Sequence, residues 1–70
     1  MIIAFFETPN FEFMAAGETV EQADEKLAEA WAKHANQYGS PAGYLEEYKE
    51  DVRYLEVSPG QAFRDKELLI

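Results

Sequence analysis

The chain opens with two short runs in which side chains alternate between two faces. In residues 1–7, Ile3, Phe5 and Glu7 oppose Ile2, Ala4 and Phe6; in residues 11–17, Phe11, Phe13 and Ala15 share one face while Glu12, Met14 and Ala16 share the other. A period of two predicts strands, and Thr8-Pro9-Asn10 between them predicts a hairpin with a loop of about three residues. Phe11 and Phe13 are expected in the core, with Glu12 outside.

The period then changes. Gly17-Glu18-Thr19 ends the second strand, and Thr19 with Gln22 three residues on reads as a capping box opening a helix of about 19 residues. Val20, Ala23, Leu27, Ala30, Trp31, His34 and Tyr38 recur at helical spacing as its buried face, and Gly39 is its expected C-cap. Ser40-Pro41 is a second start signal, for a short helix from which Tyr44, Leu45 and Tyr48 would cover the end of the core. Residues 52–57 read as a third strand, and Ser58-Pro59-Gly60-Gln61 as a turn. The last segment combines Phe63, the alternating charges Arg64-Asp65-Lys66-Glu67, expected to form a solvated face, and an apolar Leu68-Leu69-Ile70 end. Edge strand, docked tail and oligomer contact all remain open for it.

The order β-β-α-(short α)-β predicts one small α+β domain spanning residues 1–70. It has an antiparallel sheet of about three strands, the long helix on one face, and strand order 2-1-3 if the crossover is right-handed. The run from Met1 through His34, with Gly17-Glu18-Thr19-Val20-Glu21-Gln22-Ala23 opening an Ala- and Glu-rich helix, resembles the N-terminal half of HicB-type antitoxin domains and related partial RNase H-like modules. That resemblance implies the fold, and with it binding to a partner protein. No helix-turn-helix or DNA-binding ribbon is recognisable after it, so operator binding is not part of what it implies.

Charge changes the picture most. Seventy residues carry 14 acids against 6 bases, a net charge of −8 that falls into blocks: −2 over residues 1–17, −3 over 18–38, −3 over 39–57 and zero over 58–70. Such a surface repels phosphates and anionic headgroups, which argues against direct nucleic-acid or membrane binding. A cytoplasmic protein is expected, since Ile2-Ile3-Ala4-Phe5-Phe6 is too short for a signal segment and follows no basic stretch. Zero cysteines exclude disulfides and thiolate metal sites. The single histidine, His34, lies on the apolar face of the helix, where it is expected to pack or cap.

The acids form two clusters. Glu21, Glu25 and Glu29 recur every four residues along the helix with Asp24 beside them, about 6 Å apart, close to the spacing of phosphates along an extended strand. Glu46, Glu47, Glu50 and Asp51 make the second cluster, with Glu56 on the following strand. The plainer reading is a solvated helix face, with acids favoured near the N-terminus and a Glu29–Lys33 pair. Against it, Glu21 with Glu25 and Glu25 with Glu29 are like-charge pairs that each cost a few tenths of a kcal/mol. No Asp-x-Asp-x-Asp-Gly pattern is present, so neither a metal nor any other cofactor is expected; a domain this small also offers little concavity for acid/base catalysis.

The expected function is therefore a non-enzymatic inhibitor whose acidic face, Glu21, Asp24, Glu25, Glu29, Glu46, Glu47, Glu50 and Asp51, binds a basic nucleic-acid-binding protein, with Tyr44 and Tyr48 as anchors. In size, acidity and lack of cysteine the chain is similar to phage anti-CRISPR proteins and other DNA mimics. The alternative is a HicB-like antitoxin or regulatory module that pairs through its sheet edge and apolar tail, and either protein would be a monomer or homodimer.

Overall fold

A computed structural model of the chain describes residues 1–39 and 47–70. Strands β1 (Ile2–Glu7) and β2 (Glu12–Gly17) form the hairpin, helix α1 (Val20–Tyr38) follows, and β3 (Arg53–Glu56) returns to the sheet. The order is β2-β1-β3, with both neighbours antiparallel to β1. β2 and β3 therefore run parallel to each other on either side of the central strand, and α1 with the segment after it is their crossover. The expected α+β architecture and strand order are observed.

The helix boundaries follow from its caps. Thr19 Oγ1 accepts from the Gln22 backbone N–H at 3.1 Å, and Gln22 Oε1 accepts from the Glu18 N–H at 2.6 Å, so the reciprocal bond falls one residue earlier than in a standard capping box. Gly39 closes the helix at φ 71°, a left-handed conformation that costs glycine little. At the other end Gly17 lies against the first turn: a Cβ there would stand 2.5 Å from the Ala23 nitrogen.

The core forms between α1 and one face of the sheet, from Ala4, Phe6, Phe13, Ala23, Leu27 and Trp31, with Ile2, Ala15, Tyr48 and Val52 packed around them. Phe6 lies opposite Phe13 in the β1–β2 register. Its ring stacks on Phe13 at 5.0 Å and on Tyr48 at 5.5 Å, so Phe6 is held between the hairpin and the segment before β3.

Several expectations need correction. Phe11 is 44% exposed because β2 begins at Glu12, leaving Phe11 to pack at the rim on His34 and Tyr38. Val20 and Tyr38, at the two ends of α1, are exposed, and Ala35 takes a buried position that the expected pattern omitted. Glu29 pairs with Lys26 at 2.8 Å, one turn back, instead of with Lys33. Glu47 and Tyr48 are helical, as the expected short helix requires, and a 3-10 turn, Lys49–Asp51, leads from them into β3. The helix start expected at Ser40-Pro41 lies outside the described residues, as do Tyr44, Leu45 and Glu46.

The C-terminal segment forms a two-stranded hairpin, β4 (Phe63–Arg64) with β5 (Glu67–Leu68), separate from the main sheet. Asp65 and Lys66 at its tip both have positive φ, 49° and 65°, the conformation of a tight hairpin turn. Lys66 was expected on a solvated face. Instead it lies over the Phe5 ring at 4.9 Å and donates to Glu12 Oε2 at 2.9 Å, drawing the hairpin across the sheet face opposite α1.

Candidate functional site

The clearest acidic surface is built where α1 meets β3. Asp24 lies on the flank of α1 nearest that strand, and the Tyr54 hydroxyl donates to Asp24 Oδ1 at 2.6 Å. Alternation along β3 puts Tyr54 on the helix side, since it lies opposite Ala4, a core residue. The hydrogen bond to Asp24, then burial, push the Tyr54 phenol up to about 12. Glu21, Asp24, Glu25 and Ala28 of α1 line one side of a hollow of about 410 Å³, and Lys49, Val52 and Tyr54 line the other.

This hollow shows how the two acidic clusters are related. The 3-10 turn brings Lys49 against the helix acids, and Glu47, Glu50 and Asp51 are exposed beside it in the chain. Asp51 turns toward the opposite side of the sheet, lining a smaller hollow with Phe5, Phe6, Glu7, Arg53 and Lys66. Glu21, Asp24, Glu25 and Glu29 are all exposed. All six basic residues are among those described; Lys26 pairs with Glu29 and Lys66 with Glu7 and Glu12. Among the described residues, Glu21, Asp24, Glu25, Glu47, Glu50 and Asp51 form no ion pair. Glu29 holds the Lys26 ammonium above its ordinary value by a hydrogen bond, and the paired Glu29 is thereby distinguished from the rest of the row.

Tyr48 is half-buried, its ring stacked on Phe6 and 6.2 Å from Trp31. Its outer edge lines a third hollow of about 280 Å³ with Thr8, Pro9, Asn10, Phe11, Trp31 and His34. His34 is packed among aromatic rings there, with Phe11 at 4.9 Å and Phe13 at 5.0 Å, which is the packing role its position predicts. Among the described residues no cluster of three His, Cys, Asp or Glu side chains is arranged to hold a metal ion. No described helix is long and apolar enough to cross a membrane.

Two residues escaped the sequence reading. Tyr54 was legible in principle, because its alternation phase points it at the helix flank that carries Asp24. Lys66 was not, because its contacts with Phe5 and Glu12 depend on how the last hairpin folds back. No family model, curated protein or solved structure matches this chain.

Proposed function

We propose that this protein is a non-enzymatic inhibitor whose acidic face docks on a basic, normally nucleic-acid-binding surface of another protein and occupies it, as anti-CRISPR proteins and other DNA mimics do. The observation that supports this reading is a group of carboxylates that form no ion pair among the described residues: Glu21, Asp24 and Glu25 sit together on one helix flank, Lys26, the base within their run, is engaged by Glu29, and Lys49 across the hollow pairs with none of them. A surface of unpaired carboxylates steers a basic partner and competes with phosphates for it, so the complex weakens as salt rises.

The test is capture of partners from a bacterial lysate with the unmodified protein and with E21K/E25K, eluted by increasing salt. This pair is chosen because Glu29 is ion-paired and Asp24 hydrogen-bonded within the fold, whereas Glu21 and Glu25 form neither kind of bond with a side chain among the described residues. A nucleic-acid-binding protein retained by the unmodified chain, released by salt and lost with E21K/E25K supports the reading. Equal retention by both proteins refutes it.

A second reading, a HicB-like module that pairs through its sheet edge and tail, is favoured by one observation: Leu68, Leu69 and Ile70 are 53%, 53% and 79% exposed. Loss of partner capture on removing residues 66–70, with E21K/E25K harmless, selects it.

A further inference from the structure

Among the described residues, no strand pairs with the outer edge of β2, and the geometry of the hydrogen-bonding array there follows from the hairpin. The Thr8 N–H donates to the Phe11 carbonyl at 2.7 Å, which marks residues 8 and 11 as a hydrogen-bonded pair. In an antiparallel ladder such pairs recur every second residue, so Phe13, Ala15 and Gly17 direct their backbone groups to β1. Glu12, Met14 and Ala16 direct theirs outward. The other side of β1 agrees: Val57 N–H donates to the Met1 carbonyl at 2.8 Å and the Met1 amine to the Val57 carbonyl at 3.2 Å, so the odd residues of β1 serve β3 and the even ones β2.

The two free edges of the sheet differ. β3 is four residues long, carries Arg53 and Glu56 at its ends, and has Tyr54 tied to Asp24. β2 is six residues long and carries one charge, Glu12 at its first position, whose carboxylate is engaged by Lys66; from Phe13 to Gly17 it has neither a charge nor a proline, the usual guards against strand addition, and Met14 is 52% exposed on it.

We propose that two copies of this chain pair antiparallel through β2, in the register that sets Met14 opposite the partner subunit's Met14. A two-fold pairing must set outward residues against outward residues. Centred on Met14, it joins Glu12 to the partner subunit's Ala16, and the reciprocal pair, using every outward group of the strand. Centring on Ala15 places Glu12 opposite the partner subunit's Glu18, a like-charge contact on both sides; centring on Phe13 reaches past the strand to Asn10. The sequence of this edge is thus complementary to itself in one register. The pairing covers Met14 and joins two three-stranded sheets into one of six. It also leaves Glu21, Asp24 and Glu25 facing away from the seam, because they lie on the flank of α1 nearer β3. The inference is independent of the proposed inhibitor function.

The absence of cysteine makes the register directly testable with single substitutions. Met14→Cys places two thiols on a hydrogen-bonded pair whose Cα atoms are about 5.5 Å apart, within disulfide range. Ala16→Cys places them four residues out of register, about 14 Å apart. Mild oxidation is expected to link M14C into a covalent dimer and to leave A16C unlinked, while an equimolar mixture of E12C and A16C links across the two. Light scattering of the unmodified chain is expected to give twice the chain mass, with the dimer fraction rising with salt as repulsion between the two acidic chains is screened. Met14→Lys, at an exposed position, is expected to return a folded monomer by circular dichroism and light scattering. A monomeric mass for the unmodified chain at every concentration and salt tested, equal linking of M14C and A16C, or a dimer that survives M14K overturns the proposal. The salt response is opposite to that expected of the acidic face with its partner, so the two ideas fail separately.

Discussion

Tyr54 and Asp24 are 30 residues apart in the chain and 2.6 Å apart in the fold, the phenol donating to the carboxylate across the flank of the core. This contact ties the last strand of the sheet to the helix and sets one wall of the acidic hollow. It also restrains Asp24, which the unpaired Glu21 and Glu25 beside it are not.

Tyr54→Phe is expected to lower stability by no more than about 1 kcal/mol, because the hydrogen bond is exposed to water. Its pH signature is more telling. The Tyr54 phenol is held up to about 12 in the fold against 10 unfolded, so its contribution is complete below pH 10 and is lost as pH rises toward 12. Ultraviolet titration of phenolate formation should show a late-titrating component in the unmodified chain that is missing from Y54F.

Gly17→Ala is expected to destabilise the domain by about 1 to 3 kcal/mol, read from urea midpoints. The added Cβ meets backbone, the Ala23 nitrogen at 2.5 Å, so β2 must move away from the first turn of α1.

Trp31→Ala is expected to cost about 3 to 5 kcal/mol. A 70-residue chain has roughly 4 to 10 kcal/mol in total. Trp31 is 4% exposed and contacts Phe6, Phe13 and His34, so the variant should show a broad, low-temperature thermal transition by circular dichroism.

Lys66→Ala is expected to release the C-terminal hairpin from the sheet with little change in the midpoint of global unfolding. Amide exchange at residues 62–69 should speed up, while β1 and β2 keep their protection. The Lys66 hydrogen bond lowers the Glu12 carboxyl below its usual value, so the latch is intact at neutral pH and weakens as pH falls through the folded value of Glu12. Glu12 also raises Lys66, which sets the alkaline limit: the contact is lost as pH rises through the folded value of Lys66. Hairpin exchange rates followed across pH check both limits.

Most of the fold was written in local signals. Alternation in residues 2–7 and 12–17 marked the hairpin, Thr19 and Gly39 bounded α1 to the residue, and short connections with a helical crossover led to the order 2-1-3. These are legible because periodicity and caps depend on neighbours a few residues away. The composition likewise carried the acidity, and helical spacing carried the row of Glu21, Glu25 and Glu29. What the sequence by itself could not decide involved contacts between distant segments. Phe11, at the tip of the hairpin, packs at the rim on His34 and Tyr38 near the end of α1, and Lys66 became a latch because its hairpin folds back on Phe5 and Glu12; the choice of Lys26 over Lys33 by Glu29 is local, but spacing alone leaves both open. The free edge of β2 already follows from the order 2-1-3, whereas only the tertiary structure brought the Tyr54 hydroxyl within 2.6 Å of Asp24, since that contact depends on how α1 lies across the sheet.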